Sequence, residues 1–225
     1  MRAVSTAATT ADAVEVDVRR CGSGELVVIH DLTVDRVTDG NGEVRSLTYD
    51  QLAELSVLGT DQRIPLLKEV FETAPESVGI VLDLKERGIA SDAVSIGTSF
   101  DHKLLVTAFD PAIIEAVNDL PTAVSTGLIV RESRWVNRRL RSWIPGALPW
   151  LYGPEDVDSM VANAKQLGCT AILPRYELCL RTSLLESARE ADIRVNAWTI
   201  AERDTANKLD AVGIDGLIAD RAGLL

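Results

Sequence analysis

The feature that most constrains the fold of this chain is an alternation of short, β-branched apolar runs with longer amphipathic stretches. The short runs have the composition and length of strands: Ala13–Val18, Leu26–Ile29, Gly79–Leu84, Leu104–Ala108, Val124–Ile129, Ala171–Leu173, Arg194–Ala197 and Gly216–Ala219. The longer stretches repeat apolar residues at helical spacing: Thr48–Leu58, Leu67–Ala74, Ala90–Ser99, Pro111–Asn118, Glu155–Leu167, Thr182–Ala191 and Glu202–Ala211. Strands separated by helices predict an α/β fold with a parallel sheet, and this many units favour a TIM (β/α)8-type barrel over an open sheet.

Length and composition agree with one large domain. The chain has 225 residues, of which 46% are hydrophobic, and α/β barrels often reach this length as a single domain. No repeat of fixed period and no low-complexity linker interrupts the sequence. We therefore predict a single barrel domain over residues 1–225.

Charge and cysteine content narrow the class of protein further. The net charge of −11 argues against non-specific binding to nucleic acid. Arg outnumbers Lys by 18 to 5 in a halophile-like composition, which a high-GC genome would also produce. Three scattered cysteines form no metal or disulfide pattern, and no apolar run approaches the ~20 residues of a membrane span. We expect a cytoplasmic protein, with homo-oligomerisation left open.

A pair of carboxylates separated by one residue, Glu15-x-Asp17, ends the first predicted strand. Side chains alternate along a strand, so these two acids share a face. Burying them among valines is unfavourable unless a cation neutralises them. A divalent metal would do so, whereas a half-exposed edge strand with its acids in water is the alternative. His30 follows the next apolar run and is a candidate catalytic histidine.

The next predicted barrel strand ends with Asp83 and, two residues later, Lys85. In a TIM barrel the C-terminal ends of the strands meet at one edge, so Asp83 is expected to join Glu15 and Asp17. Three carboxylates suit a hard cation such as Mg²⁺ or Ca²⁺, and Lys85 could offset the charge of a bound phosphate. An Asp83–Lys85 ion pair at the edge of the barrel is the alternative.

The segment Arg131–Tyr152 is rich in arginine and tryptophan, although the chain is otherwise acidic. Because it follows the predicted strand Val124–Ile129, we expect an insertion at the catalytic edge, at about residues 131–152. Such a segment could cover the pocket or make peripheral membrane contact; the alternative is a loop packed on its own barrel. Its arginines are Arg131, Arg134, Arg138, Arg139 and Arg141. The apolar residues interleaved with them fit one face of a helix: Trp135, Val136, Leu140, Trp143 and Ile144.

Several motifs are spread along the chain. Glu15 to Gly42 contains Val-Glu-Val-Asp-Val, Gly-Glu-Leu-Val-Val-Ile-His-Asp and Asp-Arg-Val-Thr-Asp-Gly-Asn-Gly. Ile64-Pro-Leu-Leu-Lys-Glu-Val70 and Leu82-Asp-Leu-Lys85 follow, and Val195-Asn-Ala-Trp-Thr199 and Gly213-Ile-Asp-Gly-Leu-Ile-Ala-Asp220 lie near the end. Over nearly the whole chain these motifs resemble those of the glycerophosphodiester phosphodiesterases.

The resemblance implies a TIM barrel and a phosphoric diester hydrolase of glycerol and lipid metabolism. It implies release of an alcohol and glycerol 3-phosphate from a glycerophosphodiester, with a divalent metal on Glu15, Asp17 and Asp83. His30 then corresponds to one of two histidines that act as general acid and base. Lys85 corresponds to a phosphate-facing lysine, and Trp198 to an aromatic residue that lines the glycerol end of the pocket.

The chain also departs from the family pattern. The family begins with a strand carrying His-Arg-Gly and a helix that starts with Pro-Glu-Asn-Thr, and neither motif is present. We therefore expect the first barrel strand and part of the first helix to be missing. His102 precedes a predicted strand, at the wrong edge to replace the absent histidine. Two other readings remain open: an impaired relative that binds phosphate esters, and a phosphodiesterase acting on lipid headgroups at a membrane surface.

Overall fold

A computed structural model of the chain describes residues 1–130 and 154–224. The Arg/Trp-rich segment predicted at 131–152 lies outside the described residues, and so does the membrane contact proposed for it. The chain divides into two compact units, Met1–Ser125 and Thr126–Leu225, and each has its own run of hydrogen-bonded strands. The single-domain interpretation stays a prediction.

The first unit is built around a four-stranded run of sheet with the order β2-β1-β3-β4. The strands β1, β3 and β4 are parallel, and β2 pairs with β1 in the antiparallel sense. The strands are β1 (Ala13–Arg20), β2 (Leu26–Val28), β3 (Gly79–Leu84) and β4 (Leu104–Ala108). The helices are α1 (Arg2–Ala7), α2 (Tyr49–Ala53), α3 (Leu67–Thr73), α4 (Ala90–Thr98) and α5 (Pro111–Asn118), with a 3₁₀ turn at Val44–Ser46.

The alternation of side chains along β1 separates its apolar face from its acidic face. Val14, Val16 and Val18 are buried, and the acids Glu15 and Asp17 point to the other side. Each buried valine contributes roughly 1.5–3 kcal/mol relative to an exposed one. Burial of the valines therefore sets which way the acids point.

The connection from β2 to α3 has a small apolar core of its own. Its buried residues are Cys21, Val27, Ile29, Val34, Val44, Leu52 and Ile64. Because this core anchors Ile29, it also supports the segment that carries the next residue, His30.

The predicted helix Thr48–Leu58 is shorter in the structure, where α2 ends at Ala53. It begins as expected, with a capping box between Thr48 and Gln51. It ends early because tertiary partners take the next backbone groups. The Ser56 N–H donates to Asp39 at 2.8 Å, and Val57 forms a bridge with Thr38.

The second unit contains parallel strands in the order β5-β6-β7-β8. These strands are β5 (Ser125–Ile129), β6 (Ala171–Leu173), β7 (Arg194–Ile200) and β8 (Gly216–Ala219). The helices are α6 (Pro154–Gln166), α7 (Tyr176–Arg181), α8 (Leu184–Glu190) and α9 (Arg203–Ala211). Helix α7 was not predicted, because its six residues are too few to show a helical period.

Each predicted strand is present with bounds that differ by at most three residues, and helices separate the parallel strands in both units. The predicted α/β fold class is therefore confirmed. Among the described residues β1 is the first strand, preceded by α1 alone. Within the same residues, no helix has the length and apolar character needed to cross a bilayer.

Candidate functional site

Three carboxylates meet towards the C-terminal ends of β1 and β3. Glu15, Asp17 and Asp83 each present an oxygen, and these oxygens all lie within 4.8 Å of one another. The parallel register places Asp17 directly opposite Asp83, and Glu15 shares the face of Asp17. The structure thus brings the three predicted metal ligands together, and their role as ligands stays a prediction.

Asp83 is the buried member of this carboxylate cluster, with a side chain 5% exposed. Its Oδ2 accepts a hydrogen bond from Lys85, whereas its Oδ1 has no hydrogen-bond partner among the described residues. Burial raises the pKa of Asp83 because the charged form loses solvation, and the attraction of Lys85 opposes that rise. A buried polar atom left unpaired costs about 1–3 kcal/mol.

A cation bound by the carboxylate cluster would supply the partner that Asp83 Oδ1 lacks among residues 1–130 and 154–224. Oxygen ligands from carboxylates are those that Mg²⁺ and Ca²⁺ prefer. The residues present therefore fit a hard divalent cation.

Lys85 lies between two of the carboxylates, and its side chain is 11% exposed. Its Nζ lies 2.7 Å from Asp17 Oδ1 and also contacts Asp83 Oδ2. Burial by itself lowers the pKa of Lys85, but the attraction of Asp83 and the hydrogen bonds to Asp17 and Asp83 outweigh that effect and raise it. The ammonium also lies 5.9 Å from the centre of the Phe109 ring. Lys85 is therefore held as a cation, in the ion pair that the sequence offered as one alternative.

His30 follows β2, and its side chain is 64% exposed. Its Nδ1 lies 2.7 Å from Asp31 Oδ1, and Arg36 donates to both oxygens of Asp31, at 2.5 and 3.0 Å. The hydrogen bonds of Arg36, and then that of His30, hold the pKa of Asp31 far below its usual range. Since an ionised carboxylate only accepts hydrogen bonds, Nδ1 carries a proton and Nε2 is the position left for exchange with a substrate.

The backbone around His30 is tied to the strand that carries the acids. The Ile29 N–H donates to the Asp17 carbonyl at 3.0 Å, and the Arg19 side chain donates twice to the His30 carbonyl. Sequence reasoning overlooked Arg19 and the Asp31–Arg36 pair. The signal for Arg19 was available, because it follows Asp17 by two residues and so shares its face.

Trp198 lies on β7 of the second unit. Its indole N–H donates to the Leu173 carbonyl at 2.7 Å, and the Arg175 guanidinium lies 5.7 Å from the centre of the ring. The ring packs against a buried cluster that includes Ile129 and Ala171. These contacts orient the ring, and its contact with substrate stays a prediction.

His102 precedes β4, which puts it at the N-terminal ends of the strands rather than at the carboxylate cluster. Its Nδ1 lies 2.8 Å from the Val78 carbonyl and its Nε2 lies 3.2 Å from the Phe71 carbonyl. The ring centre is 5.6 Å from that of Phe71 and 6.5 Å from that of Phe100. The structure therefore gives His102 a packing role.

Comparison with known proteins finds a family model that matches this chain. The model of the Glycerophosphoryl diester phosphodiesterase family matches residues 1–224. A glycerophosphodiester phosphodiesterase of Caldanaerobacter subterraneus subsp. tengcongensis is 24% identical over 224 residues, which cover 93% of this chain and 82% of that protein.

Solved structures share the fold. The glycerophosphodiester phosphodiesterase of Thermotoga maritima has a TM-score of 0.75 and 24% identity, over 99% of this chain and 86% of its own. A phosphodiesterase of Oleispira antarctica, solved with its product sn-glycerol-3-phosphate, has a TM-score of 0.74 and 20% identity, over 97% of this chain and 85% of its own. These likenesses confirm the predicted TIM-barrel type of α/β fold.

Proposed function

Because the chain belongs to the glycerophosphoryl diester phosphodiesterase family, we propose that it hydrolyses glycerophosphodiesters to an alcohol and glycerol 3-phosphate with a divalent metal. One observation carries the proposal. Asp83, a buried carboxylate with one oxygen unpaired among the described residues, lies in a cluster of three acids that also holds the largely buried side chain of Lys85. The single positive charge of Lys85 does not balance three carboxylates, so the cluster is costly unless it also binds a metal cation.

In this proposal Glu15, Asp17 and Asp83 hold Mg²⁺ or Ca²⁺. When bound, such a metal offsets the negative charge of the phosphodiester and polarises its phosphorus–oxygen bonds. The exposed Glu15 and half-buried Asp17 leave the cluster accessible from solvent, as an anionic substrate requires.

Lys85 contributes a fixed positive charge to the same place. Its raised pKa keeps it protonated at neutral pH, and its burial strengthens its field by excluding water. A protein with a net charge of −11 repels a phosphodiester at long range, so a local cation is needed to bind one. We therefore assign Lys85 to the phosphate.

His30 is the proposed general acid or base. Its Nδ1 is engaged by Asp31, so Nε2 is the atom that takes a proton from the attacking water or gives one to the leaving alcohol oxygen. The exposed ring can reach a substrate without rearrangement of the core. Trp198 is proposed to line the glycerol end of the pocket.

The test is hydrolysis of glycerophosphocholine by the purified chain with Mg²⁺ or Ca²⁺, measured as release of glycerol 3-phosphate. We expect product that disappears with EDTA, returns when the metal is restored, and is lost in His30→Ala. Product formation that survives both changes would overturn the proposal.

A second function is an impaired relative that binds phosphate esters without hydrolysing them. The observation in its favour is that His102 is packed elsewhere, so His30 is the one histidine beside the carboxylate cluster among residues 1–130 and 154–224. Titration with glycerol 3-phosphate in the presence of Mg²⁺ separates the two functions. Binding without turnover in the assay above would favour the second.

The third reading, a phosphodiesterase acting on lipid headgroups at a membrane surface, depends on residues 131–152. It predicts binding to anionic vesicles that is lost when Arg138 and Arg139 are both changed to Glu. An unaffected variant would exclude it.

A further inference from the structure

Arg19 lies on the same face of β1 as two of the proposed metal ligands. It follows Glu15 and Asp17 at successive intervals of two residues, so all three side chains leave the strand on one side. Unlike the exposed Glu15, Arg19 is buried, with a side chain 9% exposed. The proposed chemistry assigns it no role.

The guanidinium of Arg19 is hydrogen-bonded to the backbone of His30. Its Nε and Nη2 donate to the His30 carbonyl at 3.0 and 2.9 Å. The neighbouring N–H of Ile29 is held by the Asp17 carbonyl, which continues the pairing of β1 with β2. At the next residue, His30, the hydrogen bonds to the backbone come from the side chain of Arg19 and not from the backbone of β1.

Stability alone is a poor explanation for this arrangement. Nη1 is buried without a hydrogen bond among the described residues, and it lies 3.7 Å from Glu86 Oε2. Glu86 is also engaged by the backbone N–H of Arg20, at 2.9 Å. A buried charge with incomplete pairing is often no more stable than an apolar side chain of similar size. Arg19 therefore adds little net stability to compensate for its burial.

The contacts of Arg19 instead connect the two halves of the proposed site. Glu86 directly follows Lys85 on the chain after β3, and His30 follows β2. The guanidinium spans them, because one edge donates to His30 while Nη1 faces Glu86. Only a planar group with several donors can make both contacts at once.

We propose that Arg19 is a positioning residue, which holds the backbone of His30 so that its imidazole is fixed relative to Asp17 and Asp83. The inference rests on the proposed function and deepens it. Among the described residues, the Arg19 side chain contacts the His30 carbonyl and Glu86 and none of the oxygens of the carboxylate cluster. Its loss should therefore change turnover and leave metal binding intact.

The test compares Arg19→Lys with Arg20→Lys, the same substitution one residue further along the strand. The Arg20 side chain points away from His30 and donates instead to the Gly88 carbonyl and to Asp92. For Arg19→Lys we expect kcat to fall about 10- to 100-fold, since a displacement of 1 Å can reduce a rate by about 10²-fold. KM should stay within about twofold of the wild-type value. The dissociation constant for Mg²⁺, measured by titration calorimetry, should do the same.

A second measurement does not depend on activity. With ¹⁵N-labelled histidine the chain gives ring signals from two residues only, His30 and His102, and His30→Gln assigns them. Arg19→Lys should shift or broaden the His30 signals and leave those of His102 unchanged, whereas Arg20→Lys should move neither. These changes in the histidine signals are expected even if the wild-type chain fails to hydrolyse glycerophosphocholine. Failure of the inference and failure of the proposed function are therefore distinguishable.

Unchanged His30 signals in folded Arg19→Lys overturn the inference, as does a kcat equal to that of Arg20→Lys. Should circular dichroism show Arg19→Lys to be unfolded, Arg19→Gln takes its place, because it removes the buried charge and retains an N–H donor. A smaller shift of the same His30 signals is then expected, and its absence overturns the inference.

Discussion

The two histidines of this chain occupy contrasting surroundings, His30 after β2 and His102 before β4. His30 is exposed, with one ring nitrogen on the carboxylate of Asp31. His102 is half-buried against two phenylalanine rings, and both of its ring nitrogens face backbone carbonyls. The difference teaches that the partners of both nitrogens decide whether an imidazole can exchange a proton with a ligand.

The largest expected effect is the difference in kcat between matched substitutions of the two histidines. His30→Gln is expected to lower kcat about 10²- to 10⁴-fold, the usual contribution of general acid–base catalysis. His102→Gln should leave kcat within about twofold. Steady-state release of glycerol 3-phosphate checks both variants, and equal losses would erase the contrast.

A second prediction concerns the partner of His30. Asp31→Asn replaces an acceptor that orients the imidazole with an amide that can also donate, so the preferred tautomer is no longer imposed. We expect kcat to fall about 10- to 100-fold, as for other residues that orient a histidine. The melting temperature at neutral pH should fall only slightly, because a partly exposed ion pair such as Asp31–Arg36 contributes about 0–1 kcal/mol. A variant with full activity would show that the tautomer of His30 is set elsewhere.

The reverse experiment addresses His102. Replacing it with Ala removes contacts to the Val78 and Phe71 carbonyls together with the ring packing. The free energy of unfolding should drop by about 1–3 kcal/mol, the range for unpaired buried groups, while the specific activity of the folded protein is retained. Urea denaturation measures the first quantity. Loss of activity without loss of stability would contradict the packing role.

The smallest expected effect is a change in the free energy of unfolding at acidic pH. The pKa of Asp31 is far below its usual range in the folded chain, chiefly through Arg36, so the unfolded chain binds this proton more readily. Its stabilising contribution is therefore complete above about pH 5 and is lost as pH falls towards the folded value. The stability advantage of wild type over Asp31→Asn should shrink between about pH 5 and pH 3. An advantage independent of pH would argue against the ion pair.

Much of the fold and part of the site could be predicted because they depend on local rules. Period-two alternation in β1 predicts that Glu15 and Asp17 share a face, and the β-branched runs predict the strands within a few residues. The early end of helix α2 and the surroundings of His102 could not be predicted. They depend on contacts between residues distant in the chain, such as Ser56 with Asp39 and His102 with Phe71.

The sequence by itself determined the order of strands and helices, the paired acids of β1 and the family resemblance, because spacing and residue type suffice for each. Tertiary structure alone decided three things. It placed Asp17 opposite Asp83 through the register of β1 and β3, and it left Asp83 Oδ1 without a hydrogen bond within the described part of the chain. It also turned Arg19 onto the His30 carbonyl. The physical reason is that register, burial and long-range hydrogen bonds follow from the packing of the whole unit.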